Sequence, residues 1–172
     1  PQILENVTVK DKNIINKTEC KNAIKKANKI NIPTYIDPKG SSWEKYQNAT
    51  CLTPNKKEIE RELKLKLSTD IDFEKAAKSI MIKYKLASCL ITRGAKGMTY
   101  VDTSRVIHQS VSKKEVYDVS GAGDTVIASF AASLSSELDI VESLKLSSFL
   151  SSEVVTHIGT TPFDKEMLSE YG

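Results

Sequence analysis

Three short apolar runs, each halted by a turn motif and separated by helix-periodic sequence, constrain this chain more than any other feature. "IPTYID" runs into "DPKG", where Pro38 pushes Asp37 into extended geometry. "ATCLT" stops at Pro54 in "TPN", and "ASCLIT", a continuous run of buried-strand type, ends in "TRG". Before the first run, Cys20, Ala23, Ile24 and Ala27 recur at helical spacing between Asn16 and Ile30, with lysines outward. Between the second and third, one helix is predicted to start at Asn55. Another is predicted over 70–84, with Phe73, Ala76, Ala77, Ile80, Met81 and Tyr84 on one stripe. Single strands alternating with helices bury both faces of a largely parallel sheet.

The pattern then changes. "RGAKG" separates "ASCLIT" from "MTYV", and two glycines between strand-like runs predict a hairpin. "RVIHQ" and "EVYDV" read as further strands, and "ILENV" at the start as another. Beyond Gly121, the residues Val126, Ile127, Phe130, Ala131 and Leu134 mark a helix, and a last one is predicted from Ile140 to Thr156. The expectation is one α/β domain over residues 1–172, three-layered, with a small antiparallel patch. In such sheets ligands gather outside the carboxyl ends of the strands. "DPKG", "TPN", "TRG" and "DVSGAGD" all fall at predicted strand ends, and that coincidence outweighs any single motif.

Bulk properties narrow the partners. Twenty-five basic and 22 acidic residues leave a formal charge of +3, too small to argue for nucleic acid or a membrane surface. No apolar stretch approaches the roughly 20 residues of a membrane helix. Cys20, Cys51 and Cys89 are sparse, odd in number and form no CxxC pair, which fits reduced thiols in a cytoplasm. His108 and His157 stand alone and are expected to be neither ligands nor bases.

"SGAGDT" is where chemistry enters. Glycines at the mouth of a helix let backbone amides approach a ligand, and unpaired N–H groups there attract anions. Gly121, Ala122 and Gly123 can therefore hold charge developing on a transferred phosphoryl group, while Asp124 accepts a hydroxyl proton. A second reading uses the same residues without chemistry: Ser120 caps the helix and Asp124 answers its dipole. No Gly-Lys-Ser/Thr follows, so this is not a Walker loop.

"DVSGAGDT" resembles the signature of the ribokinase-like (PfkB) carbohydrate kinases. The resemblance narrows to their D-glycero-β-D-manno-heptose 7-phosphate kinase branch, of lipopolysaccharide-core synthesis. That branch carries segments similar to "NIPTYIDPKGSSWEKYQNATCLTPNKKEIE", "TRGAKGM" and "EVYDVSGAGDTVIA", in this order, from about residue 16 to 165. The resemblance implies ATP and Mg²⁺ as cofactors, a sugar phosphate as substrate, Gly121–Gly123 as anion hole and Asp124 as catalytic base. Asn55 and Glu58 in "TPNKKEIE" match an Asn-x-x-Glu motif tied to magnesium and phosphate. Glu58 there would hold the ion through water, with Lys56 and Lys57 alongside; a capping pair is the compatible alternative. Thr92 and Gly94 match a Thr-x-Gly turn at the nucleotide phosphates, though a plain hairpin needs the same glycine. Lys39 is either an extra cation near the phosphates or an exposed turn lysine.

The family pattern is not complete. It places a sugar-binding half and a β-lid before this region, so the chain is expected to be the ATP-side half of a kinase. Such a half is expected to self-associate or to depend on a missing segment through its exposed sheet edge. The branch's Asp-Tyr-x-Lys-Gly is replaced by Val9-Lys10-Asp11-Lys12-Asn13, and Ser148 stands where an adenine-side Asn is usual. No H-x-G-H motif of an attached nucleotidyltransferase is present. Two other functions fit the same residues: a different sugar or nucleoside kinase of this fold, and a non-catalytic remnant that only binds.

Overall fold

A computed structural model describes residues 7–10, 17–111 and 121–155 of the chain. The order of elements is β1 (Val7–Lys10), α1 (Lys17–Lys29), β2 (Thr34–Asp37), a 3₁₀ turn (Trp43–Tyr46), β3 (Cys51–Leu52), α2 (Lys56–Leu63), α3 (Asp70–Tyr84) and β4 (Ser88–Thr92). A second 3₁₀ turn (Gly94–Lys96), β5 (Met98–Asp102), β6 (Val106–Gln109), α4 (Ala122–Ser135) and α5 (Ile140–Val154) follow. Among the described residues the six strands lie side by side in chain order. β1 to β4 are parallel, and β4–β5 and β5–β6 are antiparallel.

Strand alternation builds two cores from this one sheet. Ile36, Leu52, Cys89, Ile91 and Val101 face α1, the Trp43–Tyr46 turn, α2 and α3. Tyr35, Cys51, Leu90, Met98 and Tyr100 face Val126, Ile127, Phe130, Ala131 and Leu144 on α4 and α5. A sheet that adds parallel strands in one direction through same-handed crossovers carries all the connecting helices on one face, which leaves the other face to α4 and α5. Each fully buried Leu or Ile in these layers contributes about 1.5–3 kcal/mol. Phe130 sits at the centre of the second core, with Tyr35 and Tyr100 rings 6.0 and 5.8 Å away.

Most helix predictions hold within a residue or two. α3 matches 70–84, and Asn55 proves to be the cap of α2 rather than its first residue. The predicted hairpin is the β4–β5 pair. Of "ILENV" only Val7 is described, at the start of β1; "EVYDV", Ser120 and Thr156 lie outside the described residues. The Trp43–Tyr46 turn has no counterpart in the sequence reading, although its two aromatics are among the most deeply buried side chains. α5 buries Ser143, Ser147, Ser148, Ser151 and Ser152. Ser147, Ser151 and Ser152 are satisfied by donating to carbonyls three or four residues back, so a polar helix can be packed inside.

Candidate active site

The carboxyl ends of β2, β3 and β4 lie together, as their turn motifs require. Thr53 N–H donates to the Ile36 carbonyl at 2.9 Å, and Thr92 N–H to the Pro54 carbonyl at 3.0 Å. An isolated parallel bridge joins Asn55 to Thr92. "DPKG", "TPN" and "TRG" are therefore neighbours through backbone hydrogen bonds.

Asn55 and Glu58 form a reciprocal cap at the start of α2. The Asn55 side-chain oxygen accepts from Glu58 N–H at 2.9 Å, and Glu58 Oε2 accepts from Asn55 N–H at 2.8 Å. The remaining oxygen, Oε1, accepts from Lys39 Nζ at 2.8 Å. Lys39 also reaches both carboxylate oxygens of Asp37 at 2.9 Å. Its ammonium thus bridges two half-buried carboxylates, Asp37 at the end of β2 and Glu58 in the first turn of α2. Lys56 lies 3.8 Å from Glu60 along its own helix, and Lys57 is exposed.

Asp37 was missed as a site residue, because "DPKG" read as a turn and its aspartate as the residue before a proline. Burial pushes its carboxyl above the ordinary range, Lys39 pulls it back, and the negative charges of Glu58 and Asp124 push it up again. Asp124 acts from the first turn of α4, a helix that packs on β2 and β1. For Lys39, burial disfavours the ammonium, but the hydrogen bonds to Glu58 and Asp37 outweigh it and raise its pKa. Tyr46 was also missed. Its buried hydroxyl accepts from Lys39 N–H at 3.1 Å and donates to the Lys39 carbonyl at 3.3 Å, holding the turn from beneath. Trp43 Nε1 donates to the Gly40 carbonyl at 3.2 Å and fixes the same turn.

α2, α3 and α5 begin on side-chain caps from Asn55, Thr69 and Asp139, whereas α4 begins on Gly121, which has no side chain to offer. Gly121 takes φ +84°, a left-handed conformation that favours glycine. A Cβ built on Gly123, or on Gly94 in the "TRG" turn, meets nothing within 4 Å, so both backbones face open space. Asp124 is half-buried in the first turn of α4, which packs on β2 and β1. Amides at a helix start, two open glycine backbones and an ammonium between carboxylates fit a polyphosphate ligand. Among the described residues, no three His, Cys, Asp or Glu side chains form a closed metal cage. Mg²⁺ does not require one, since it keeps its waters and binds through one or two carboxylates plus substrate phosphates.

Ser148 is buried in α5 and donates to the Ser110 carbonyl at 3.3 Å. His108 is exposed on β6, with Nδ1 3.0 Å from Thr99 Oγ1; His157 lies outside the described residues. The three cysteines are free and buried, and burial pushes the Cys51 thiol up to about 12. No helix among the described residues is long and apolar enough to cross a membrane.

Comparison with known proteins bears on descent and fold. The family described as "pfkB family carbohydrate kinase" matches residues 13–166. The bifunctional protein HldE of Methylobacillus flagellatus is 36% identical over 159 residues, covering 92% of this chain and 33% of that protein. Its counterpart in Campylobacter concisus is 39% identical over 150 residues, 87% of this chain and 31% of that protein. The chain thus spans about a third of the length of these relatives. Among solved structures, Arabidopsis thaliana ribokinase complexed with ribose and ATP superposes with a TM-score of 0.81 at 24% identity, over 90% of this chain and 52% of that one. Phosphofructokinase-2 from Escherichia coli in complex with potassium gives 0.80 at 20% identity, over 91% and 52%. At such identities the two structures speak for the ribokinase-like fold, and the family match speaks for descent: the chain belongs to the pfkB family of carbohydrate kinases.

Proposed function

We propose that this chain supplies the nucleotide site and catalytic base of an ATP-dependent sugar-phosphate kinase. The observation that supports the proposal is the meeting of "DPKG", "TPN" and "TRG" at adjacent strand ends, with α4, which carries Asp124 in its first turn, packed on β2 beside them. Asp124 takes the proton of the acceptor hydroxyl as its oxygen attacks the terminal phosphorus of ATP. The amides of Gly121–Gly123 stabilise charge on the phosphoryl group in flight, and ADP leaves. Thr92 and Gly94 receive the nucleotide phosphates on a hydroxyl and an open backbone. Glu58 would hold Mg²⁺ through water, where the ion neutralises phosphate charge.

Similarity of "DPKG" and "LTPNKKE" to the heptose branch narrows the acceptor to heptose 7-phosphate and the product to heptose 1,7-bisphosphate. We place the reaction in lipopolysaccharide-core precursor synthesis in the cytoplasm, where three free buried thiols are at home. The sugar-binding side is assigned to the portion of the ribokinase-like fold that this chain does not match, docked along the β1 side of the sheet, or to a second copy. Isothermal calorimetry with Mg-ATP, followed by turnover on heptose 7-phosphate, fructose 6-phosphate and ribose, tests the proposal. Saturable ATP binding with turnover on the heptose alone supports it. Turnover on another sugar corrects the substrate, and no ATP binding makes the chain a non-catalytic module.

A further inference from the structure

Arg93 stands between Thr92 and Gly94, where an arginine invites reading as a phosphate ligand. Its side chain goes the other way. The guanidinium is 8% exposed and turns to the face of the sheet that carries α3. Its carbon lies 4.3 Å over the buried Phe73 ring. One terminal nitrogen donates to Asp70 Oδ1 at 2.6 Å, in the first turn of α3, and the other to Thr99 Oγ1 at 3.1 Å, on β5. Its Nε finds no acceptor among the described residues. The Arg93 backbone meanwhile closes the turn: its N–H donates to the Gly97 carbonyl at 2.8 Å, and Gly97 N–H donates to the Gly94 carbonyl at 2.9 Å.

We infer that Arg93 is a positioning residue, which sets the Thr92–Gly97 turn for phosphate by anchoring it to α3 and β5 from the sheet face that α3 covers. The inference rests on the reading of that turn as a nucleotide-phosphate site. A planar fork fits the task because its two terminal nitrogens meet fixed acceptors on separate elements while its face stacks on an aromatic ring. Lysine offers a point charge and cannot do all three. Loosening the anchor lets Gly94, which sits at φ +61° with open space around it, sample conformations that do not meet phosphate.

Calorimetry on the full chain with Mg-ATP and with adenosine provides the test, comparing wild type with Arg93→Met, Arg93→Lys and Asp70→Asn. Arg93→Met is expected to weaken ATP binding about tenfold, or about 1.4 kcal/mol, and to leave adenosine binding unchanged. Arg93→Lys should recover only part of the loss, and Asp70→Asn should repeat the pattern more weakly. Unchanged ATP affinity in folded Arg93→Met overturns the inference, as does equal loss of ATP and adenosine, which marks a purely structural role. If Arg93→Met does not fold, Asp70→Asn decides: ATP affinity equal to wild type overturns the inference. A wild-type chain that binds adenosine but gains nothing from the phosphates removes the phosphate-site reading, and the inference with it.

Discussion

Replacing Lys39 with methionine removes one ammonium from between two carboxylates, and the consequence depends on pH in a direction the structure sets. Lys39 is about two-fifths exposed, whereas Asp37 and Glu58 are 15% and 13% exposed. Fully exposed pairs contribute about 0.2–1 kcal/mol each, and charged hydrogen bonds to buried groups about 1.5–3. With the lysine this open to solvent, the lower end applies, and the substitution should cost about 1–2 kcal/mol near neutral pH. At this chain length that is a melting-point loss of about 2–8 °C. Asp37 already has a raised pKa in the folded state, so its protonated form is the one that folding favours. That favour is fully present below the unfolded aspartate range and is lost as pH climbs through the folded pKa. Without Lys39 the folded pKa rises further, because the charges of Glu58 and Asp124 are then unopposed. The gap between wild type and variant should therefore be largest at about pH 7 and close towards about pH 3, where carboxylates are protonated. Urea denaturation at both pH values measures it. A loss of the same size at both would refute the electrostatic argument and assign the effect to packing of the lysine stem. Strong salt should also shrink the neutral-pH gap, since the ammonium is partly solvated.

Asp124→Asn in the complete kinase should lower turnover by about 10²–10⁴ with ATP affinity nearly unchanged; steady-state kinetics that show turnover close to wild type would remove Asp124 as the base. Tyr46→Phe leaves the Lys39 N–H without its acceptor and should cost about 1–3 kcal/mol by urea titration, with a weaker ATP heat because the lysine turn loosens. Gly97→Ala is expected to be the worst glycine substitution. Its Cβ would stand 1.9 Å from the Gln109 carbonyl oxygen at a φ of +85°, both unfavourable. A loss of about 3 kcal/mol in thermal or chemical unfolding follows from strain plus clash. A melting point equal to wild type would show that the β5–β6 hairpin can shift freely.

Much of this protein was readable before its fold. The stripes of α1, α3 and α4 are set by neighbours three and four residues apart, and the turn motifs of β2, β3 and β4 by proline, glycine and asparagine at their own positions. Those are local interactions, so the sequence alone determines them. It also marked the glycine-led start of α4 and the Asn55–Glu58 cap, whose two members are one helical turn apart.

Tertiary structure decided what those pieces do to one another. Lys39 meets Glu58 across nineteen positions because β2 and β3 pair with Tyr35 opposite Cys51, a register that sets "DPKG" beside "TPN". Arg93 turns to the α3 face because alternation along β4 and β5 puts Thr99 there. The serines of α5 are interior because α4 and α5 pack together over a sheet face that, among the described residues, no earlier helix covers. Each of these depends on strand register and on which face a helix reaches, quantities that sum contacts from distant parts of the chain. Periodicity shows that a helix has an inward side; only the assembled sheet says what it will find there.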